Sequence, residues 1–368
     1  MRAFVEKAMP ARCLSLFTIA ALVALSIAPR VQAAAPVADD GHSPSASAGH
    51  TAGPSADLLE ELHKVPYKIV FETHREGNWD LFMVDADGSR PRNLTRTPHV
   101  NEMYPHVSPD GKRVSFVVDE GDGDAKSRNV YFMNLDGTGR TRAAANAREP
   151  FWSPDGNAIV YLKGEFERFT VTDYASKGLF LYDPATRRET AHPNASLHHL
   201  YNVCATADGR WFVATVHAGM GEGHAILAIN ATGRKVHNLR IPGCRPDISA
   251  DGKRIAWGCD DFTLRVGELD FTGPEPKVVR QRDVIKSAKP IETYHVDWSP
   301  DGKYLAFSRG PTRKTLGPAP EMIGVQAPGW NICVADANAT NRYVALTADG
   351  QSNKEPDWVP ATPQNKRD

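Results

Sequence analysis

The chain has 368 residues, with 43 basic and 44 acidic side chains and a net charge of −1 at pH 7. This balance gives no electrostatic reason to expect a nucleic acid or an anionic membrane surface as a partner. The length would suit about two ordinary domains. An array of repeats of the same length would form one large domain.

The first 35 residues have the pattern of a secretory signal peptide. A basic start at residues 2–12 precedes an apolar run at 14–28, and Val-Gln-Ala at 31–33 fits the small-residue cleavage rule. The apolar run is short for a membrane span. We therefore expect cleavage near residues 33–35, no membrane span after cleavage, and a periplasmic or secreted protein.

The next segment, 36–66, begins with a stretch rich in Ala, Ser, Gly, Pro and His. Such a composition cannot bury a core, which predicts a disordered tether. Residues 57–64 have room for a short helix, which Pro66 would stop. Residues 361–368 are expected to form a disordered tail.

A short hairpin sequence recurs five times in the remaining part of the chain. Ser-Pro-Asp-Gly occupies 108–111, 153–156 and 299–302, and degraded copies occupy 206–209 and 249–252. Pro, Asp and Gly suit successive positions of a tight turn, and the alternating apolar residues around it predict antiparallel strands. The turn aspartates follow one another at 45, 53, 43 and 50 residues. This spacing, with about four strands per repeat, is typical of propeller blades.

The two ends of residues 67–360 are predicted to share one blade. Strand patterns at 68–73, 79–84 and 91–95 lack an inner partner, and residues 355–360 match the approach to a turn and then stop. The sequence therefore predicts an all-β fold: a six-bladed propeller of four-stranded antiparallel blades, with the first blade completed by the C-terminal strand. Closure would remove the free sheet edge that otherwise invites aggregation.

Connection lengths differ between the two faces of this propeller. The recurring turns are tight, whereas the connections at 119–128, 163–177, 191–200, 281–293 and 309–329 are long. Alternate connections of a blade lie on the same face, so the long ones should share one rim. Because function usually resides on long loops carried by a rigid scaffold, we expect the working surface on that rim and at the adjacent channel mouth.

Two positions on each inner strand should lie near the channel axis. Six residues before the turn aspartate, or its equivalent, stand Tyr104, Glu149, Asn202, Arg245, His295 and Glu355; four before it stand His106, Phe151, Cys204, Asp247, Asp297 and Asp357. Arg245 is suited to clamp a carboxylate, and Tyr104 to stack on a sugar or peptide. The predicted binding residues are Tyr104, His106, Glu149, His198, His199, Asn202, Arg245, His295 and Glu355.

The inner carboxylates have two interpretations, which the sequence leaves open. They can accept hydrogen bonds from backbone amides of the next blade. Alternatively, oxygen and imidazole ligands can gather Mn, Ca or Zn, and the set for that purpose is His295, Asp297, Glu355 and Asp357. We predict no catalytic residues, since the sequence contains no G-x-S-x-G, H-E-x-x-H or phosphate-binding loop.

Four cysteines follow the predicted signal peptide, at 204, 244, 259 and 333. Export would permit disulfides, and Cys244 and Cys259 flank one recurring turn. A two-residue loop would pair them directly, whereas a three-residue loop with a glycine bulge would pair Cys244 with Gly258. The turn sequence favours the second arrangement, so we expect buried free thiols.

Residues 69–71, 80–88 and 93–95, together with the repeated Trp-Ser-Pro-Asp-Gly-Lys, resemble the TolB-like propeller family over roughly 68–360. The resemblance implies a six-bladed propeller whose channel mouth docks an envelope protein, which for TolB is a peptidoglycan-associated lipoprotein. TolB also has an N-terminal α/β domain, where only a short tether is expected here. The repeat is similar to that of oligogalacturonate lyases, whose propeller holds manganese, and to propellers beside prolyl oligopeptidase-type catalytic domains.

Together, these observations predict an exported, monomeric scaffold without a cofactor. Its partner would be an envelope protein or peptide, or an oligosaccharide, bound through the channel mouth and the long-loop rim. The alternative is a metal-dependent polysaccharide lyase or hydrolase that uses a divalent cation such as Mn or Ca.

Overall fold

The computed structural model describes residues 55–312 and 319–361. The predicted signal peptide, the tether up to residue 54 and the tail beyond 361 lie outside these residues. Within them, no helix is of a length and apolarity that would carry it across a bilayer.

The described chain consists almost wholly of strands, preceded by helix α1 (Ala56–Leu62) and interrupted by a 3-10 turn at Gly123–Ala125. The strands are β1 (Lys68–Arg75), β2 (Asn78–Asp85), β3 (Arg92–Asn93), β4 (Asn101–Val107), β5 (Arg113–Glu120), β6 (Ser127–Asn134), β7 (Thr141–Ala144), β8 (Ala147–Trp152), β9 (Ile159–Gly164), β10 (Ser176–Asp183), β11 (Arg188–Ala191), β12 (Leu200–Ala205), β13 (Trp211–Gly219), β14 (Glu222–Asn230), β15 (Val236–Asn238), β16 (Cys244–Ile248), β17 (Arg254–Asp260), β18 (Thr263–Asp270), β19 (Lys277–Lys286), β20 (Ile291–Trp298), β21 (Tyr304–Pro311), β22 (Asn331–Asp336), β23 (Tyr343–Ala345) and β24 (Ser352–Val359).

These strands form six four-stranded antiparallel sheets, and each inner strand contacts the inner strand of the next sheet around a closed ring. The sheets are β24-β1-β2-β3, β4 to β7, β8 to β11, β12 to β15, β16 to β19 and β20 to β23. The predicted six-bladed propeller is confirmed, and we number the blades 1 to 6 in this order.

The C-terminal strand closes the ring as predicted. β24 pairs antiparallel with β1, placing Trp358 opposite Ile69, and it begins at Ser352, three residues before the predicted start. Helix α1 lies beside this junction, where Leu58 and Leu62 are buried in the same apolar cluster as Trp358. The predicted short helix therefore covers the join between blades 1 and 6.

The recurring turns are held by their own side chains. In the first, Ser108 accepts the Arg113 amide at 2.9 Å, and the Gly111 amide donates to the Ser108 carbonyl at 2.8 Å. Gly111 has a φ of +67°, a conformation that favours glycine. The turns define one face of the propeller, the turn face; the opposite face, which carries the long connections, is the loop face.

One predicted long connection is shorter than expected. β19 extends to Lys286 and β20 begins at Ile291, so most of residues 281–293 is strand. The sequence pattern did not indicate this strand because β19 is the outermost strand of its blade. Exposed polar side chains there replace the alternating apolar pattern.

The cysteines and the inner tryptophans have structural roles. Cys244 pairs with Gly258, as the bulged arrangement requires, and the four described cysteines are free thiols. Trp152, Trp298 and Trp358 are each at most 5% exposed and pack within apolar clusters. The expected free thiols are present, but only Cys333 is buried; Cys204, Cys244 and Cys259 are half-buried.

Candidate functional site

The six residues predicted at the first axial position share an unusual backbone conformation. Each has a φ between +50° and +56°, although none is glycine. At each position the pairing of the inner strand with its neighbour shifts register. A bulge of this kind re-aims the side chain, so the ring of bulges gathers one side chain from every blade. The six are Tyr104, Glu149, Asn202, Arg245, His295 and Glu355.

Hydrogen bonds and ion pairs link these six side chains across the channel. The Asn202 side-chain amide donates to the Tyr104 hydroxyl at 3.1 Å, and its backbone amide donates to Glu149 at 2.6 Å. On the other side, Glu355 lies 3.0 Å from His295 Nε2 and 3.6 Å from an Arg245 nitrogen. The structure therefore brings together the predicted residues of this inner ring.

The segment 320–330 covers the inner ring on the loop face. The Glu321 carbonyl accepts a hydrogen bond from His295 at 2.7 Å, while Lys354 donates to the carbonyls of Pro320 and Met322 at 3.1 and 2.7 Å. Trp330 stacks on Tyr294, with ring centroids 6.0 Å apart. This segment folds inward across the channel instead of standing at the rim.

The inner ring is consequently an interior feature. All its members except the half-buried Asn202 are at most 6% exposed. Arg245 already pairs with Asp173 at 2.9 Å, a residue of the long connection at 165–175. The carboxylate that Arg245 was expected to clamp is thus supplied by the chain itself.

The adjacent histidines of the loop face lie in a different environment. His199 contacts Glu165 at 3.0 Å and the Ala218 carbonyl at 2.7 Å. His198 contacts the Ser196 carbonyl at 2.7 Å and accepts the Met220 amide. The imidazoles of His198 and His199 therefore have separate partners, all in blades 3 and 4 or their connections.

A second ring lies nearer the turn face, and its carboxylates join neighbouring blades. Asp247 accepts the Trp298 amide at 2.8 Å, and Asp297 accepts the Trp358 amide at 3.0 Å. Asp357 in the same way accepts an amide of blade 2, that of Val107, at 3.0 Å. The backbone-binding interpretation of these aspartates is confirmed.

The remaining oxygen of Asp357 contacts an imidazole of the same ring. His106 Nδ1 lies 2.8 Å from that oxygen. Burial alone would lower the pKa of His106, but the hydrogen bond to Asp357 and the surrounding carboxylates raise it above its ordinary value. Phe151 at the equivalent position packs in an apolar cluster.

This second ring forms the floor of a funnel that opens on the turn face. The opening has a volume of about 290 Å³ and is bordered by the second residue of four recurring turns: Pro109, Pro154, Ala207 and Ala250. Deeper, a cavity of about 30 Å³ continues to Asn202, His295 and Glu355. His106, Asp247 and Asp297 line both parts, so the open end of the channel lies opposite the predicted rim.

Burial and mutual repulsion shift the carboxyl groups of the channel. Burial raises the pKa of Asp247 to about 7, and burial with the charges of Asp357 and Asp247 raises that of Asp297 well above its ordinary value. In the inner ring, burial raises the pKa of both Glu149 and Glu355 to about 7. These carboxyl groups therefore hold their protons to a higher pH than exposed aspartates and glutamates do.

The four residues predicted to hold a metal divide between the two rings. His295 and Glu355 meet in the inner ring, whereas Asp297 and Asp357 bind amides in the second ring. Across residues 55–312 and 319–361, no group of three or more His, Cys, Asp or Glu side chains has a metal-binding arrangement. A divalent cofactor stays a prediction from sequence.

Sequence reasoning missed the buried ion pair that supports the covering segment. Lys354 and Glu72 are both fully buried, 3.5 Å apart, on the paired strands β24 and β1. The two residues stand directly opposite each other in the pairing of these strands. Charged side chains on a strand are usually exposed to solvent, so only the structure could show that these two are buried as a pair.

Comparisons with known proteins support the resemblance at the level of fold. The chain matches no protein-family model. The Tol-Pal system protein TolB of Alcanivorax borkumensis is 31% identical over 115 residues, which are 28% of this chain and 25% of that protein. The matched segments span only 24% to 36% of the length of the curated relatives.

Solved structures extend the similarity over most of the chain. TolB from Acinetobacter baumannii has a TM-score of 0.57 and 18% identity, with 80% of this chain and 66% of that chain covered. A chain of a nidogen/laminin complex has a TM-score of 0.54 and 10% identity, covering 80% of this chain and 99% of that chain. At these identities the similarity establishes the fold, and the site must carry the argument for function.

Proposed function

We propose that the protein is a TolB-like binding scaffold of the cell envelope that engages a partner protein at the channel mouth on the turn face. The observation that carries the proposal is the asymmetry of the channel. One mouth is covered by segment 320–330, whereas the other opens as a funnel with polar side chains at its floor. Concave sites with a few convergent polar groups are the usual places for binding.

The relatives' names support an envelope partner. One relative is named as a protein of the Tol-Pal system, and the predicted signal peptide would place this chain in the periplasm or outside the cell. The proposal moves the working surface from the loop face to the turn face, because the turn face is where the axial residues meet solvent.

Site-specific photo-crosslinking tests the proposal. A benzoylphenylalanine is placed at exposed Ala207 or Ala250 on the funnel border, and at exposed Gly223 on the loop face as the matched control. In cells that express the full chain, both border positions should crosslink the same envelope protein, identified by mass spectrometry, and position 223 should not. Crosslinks confined to position 223 would place binding on the loop face and contradict the proposal.

Metal analysis of the purified protein distinguishes the alternative enzyme. A metal-dependent lyase or hydrolase should retain a stoichiometric divalent cation, lose it to a chelator and depolymerise a polysaccharide only when loaded. A scaffold should keep its crosslinks to the partner after treatment with a chelator.

A further inference from the structure

The unpartnered polar atoms of the inner cavity all accept hydrogen bonds. His295 Nε2 lies 2.7 Å from the Glu321 carbonyl, which can only accept, so Nε2 carries the hydrogen. Burial and the charges of Arg245 and Lys354 lower the pKa of His295 well below its ordinary value, which keeps the ring neutral. Its Nδ1 is thus a lone pair without a partner among the described residues, on a side chain only 1% exposed.

Two more acceptors face the same space. The Asn202 amide nitrogen donates to Tyr104, which identifies the remaining atom, Oδ1, as an acceptor; it has no hydrogen-bond partner within the described chain. Asp297 uses one carboxylate oxygen for the Trp358 amide and has no described partner for the other. Asn202, Asp297 and His295 all line the inner cavity. A ligand that completes His295 Nδ1 and Asn202 Oδ1 must therefore donate a hydrogen bond.

Charge also favours a cation. Asp247, Asp297 and Asp357 line the funnel, and no lysine or arginine lies among its lining residues. The one basic group there, His106, already pairs with Asp357. A positive ligand would relieve the repulsion among these carboxylates and bind the oxygen of Asp297 that the Trp358 amide leaves unpaired.

Dimensions distinguish a primary ammonium from a guanidinium. The inner cavity is small, about 30 Å³, which suits a compact polar group. An ammonium is a compact point charge with three donors, whereas a guanidinium is a wide planar fork. The bordering turn residues stand three residues along the chain from the second ring, at most roughly 10 Å. This depth calls for a long, narrow side chain such as the four-carbon stem of a lysine.

We propose that the funnel receives a lysine side chain of the partner protein, whose ammonium binds between Asp247 and Asp297 at the entrance to the cavity lined by His295 and Asn202. This assignment rests on the proposed partner-binding function and specifies its chemistry. The partner's lysine projects from the surface that covers the four border residues of the funnel.

Calorimetry with defined peptides tests the assignment on the full chain. The probe is acetyl-Gly-Gly-Lys-Gly-Gly-amide at millimolar concentration and low salt, and its counterpart carries Nε-acetyl-lysine. The lysine peptide should bind at least tenfold more tightly. Asp297→Asn should weaken its binding about tenfold, since an asparagine oxygen can still accept the Trp358 amide, while Glu60→Gln on exposed α1 should have no effect. Asp247→Asn provides a second test if Asp297→Asn fails to fold.

Several results would overturn the lysine assignment. These are equal binding of the acetylated peptide, no binding of the lysine peptide, or unchanged binding by both asparagine variants. Equally tight binding of a lysine-free peptide with an unblocked N-terminus would assign the site to a chain end, and displacement by calcium chloride at constant ionic strength would assign it to metal cations. If the border positions still crosslink the partner, only the lysine assignment fails; if they do not, the proposed function fails as well.

Discussion

The buried pair of Lys354 and Glu72 allows a quantitative test of how the channel is held closed on the loop face. Their side chains are 3.5 Å apart and fully buried. Lys354 also donates to two carbonyls of segment 320–330, and the second oxygen of Glu72 accepts the Tyr104 amide at 2.9 Å. One ammonium therefore connects blade 1 to the covering segment.

Lys354→Met preserves the length of the side chain and removes its charge. Glu72 is left as an uncompensated buried carboxylate, a loss that costs about 3–5 kcal/mol of folding free energy. Adding Glu72→Gln removes the stranded charge, so the double variant should recover at least half of that loss. It should not recover all of it, because the two carbonyls still lack a donor.

The expected change in melting temperature follows from the size of the domain. For about 300 residues the entropy of unfolding is roughly 0.6 kcal/mol/K, so 3–5 kcal/mol corresponds to a decrease of about 5–8 °C. Differential scanning calorimetry is performed on the wild type, Lys354→Met, Glu72→Gln and the double variant, which together form a double-mutant cycle. Lys64→Met, at an exposed position, is the matched control and should melt like the wild type.

The deficit of Lys354→Met should also depend on pH. Burial raises the pKa of Glu72 even though Lys354 lowers it, so removing Lys354 raises it further. The folded variant then keeps a proton that the unfolded chain releases near pH 4.5, and its stability falls as pH rises above that value. The deficit should be larger at pH 8 than at pH 5. An equal deficit at both pH values, or a double variant no more stable than the single one, would refute the reasoning.

Three further predictions concern packing and the axial charges. Gly310→Ala should lower the free energy of unfolding by about 1–3 kcal/mol, because the added Cβ would lie 2.1 Å from a buried indole carbon. Gly223→Ala has open space around it and should leave that free energy almost unchanged. Urea unfolding measures both. Leu58→Ala should cost about 2–5 kcal/mol in the same assay, and Leu59→Ala, at a 39% exposed position, well under 1 kcal/mol. The stability of Asp247→Asn relative to the wild type should increase between pH 5 and pH 8 in thermal melts. The pKa of Asp247 is raised to about 7, so the wild type loses stability as the pH rises through this range, and the asparagine variant does not.

Each of these comparisons can fail. Equal costs for the two glycine substitutions would show that the blade relaxes around the added methyl group. Equal costs for the two leucines would mean that α1 contributes little to the closed ring. A difference in melting temperature between Asp247→Asn and the wild type that is constant from pH 5 to pH 8 would show that Asp247 titrates in its ordinary range.

The axial residues illustrate how far sequence reasoning reached. The spacing of the turns was enough to align the inner strands, and the residues so chosen are the ones that meet at the axis. It left two interpretations of the inner aspartates open, and the structure shows that those of the second ring bind amides of the next blade. It could not show the bulges, because a positive φ at Tyr104 or Glu355 depends on how the inner strand pairs with the next strand of its blade and has no signature in those residue types.

The position of the open mouth was beyond the sequence for a different reason. Long connections suggested an accessible loop face, although the one predicted at 281–293 is mostly strand. Their direction depends on contacts with residues far away in the chain: segment 320–330 is drawn inward by Lys354 and His295. The predicted binding residues of the inner ring therefore became an interior network, and the solvent-facing chemistry moved to the turn face.

The amino-acid sequence by itself determined the turns, the strand alternation, the number of blades and the closure of the first blade by the C-terminal strand. These features depend on local turn geometry and on a repeat whose period is visible in the residue order. The tertiary structure alone decided which mouth is open, which charges are buried and which acceptors lack partners. Those properties arise where side chains separated by up to hundreds of residues meet at the axis, and no local pattern specifies such meetings.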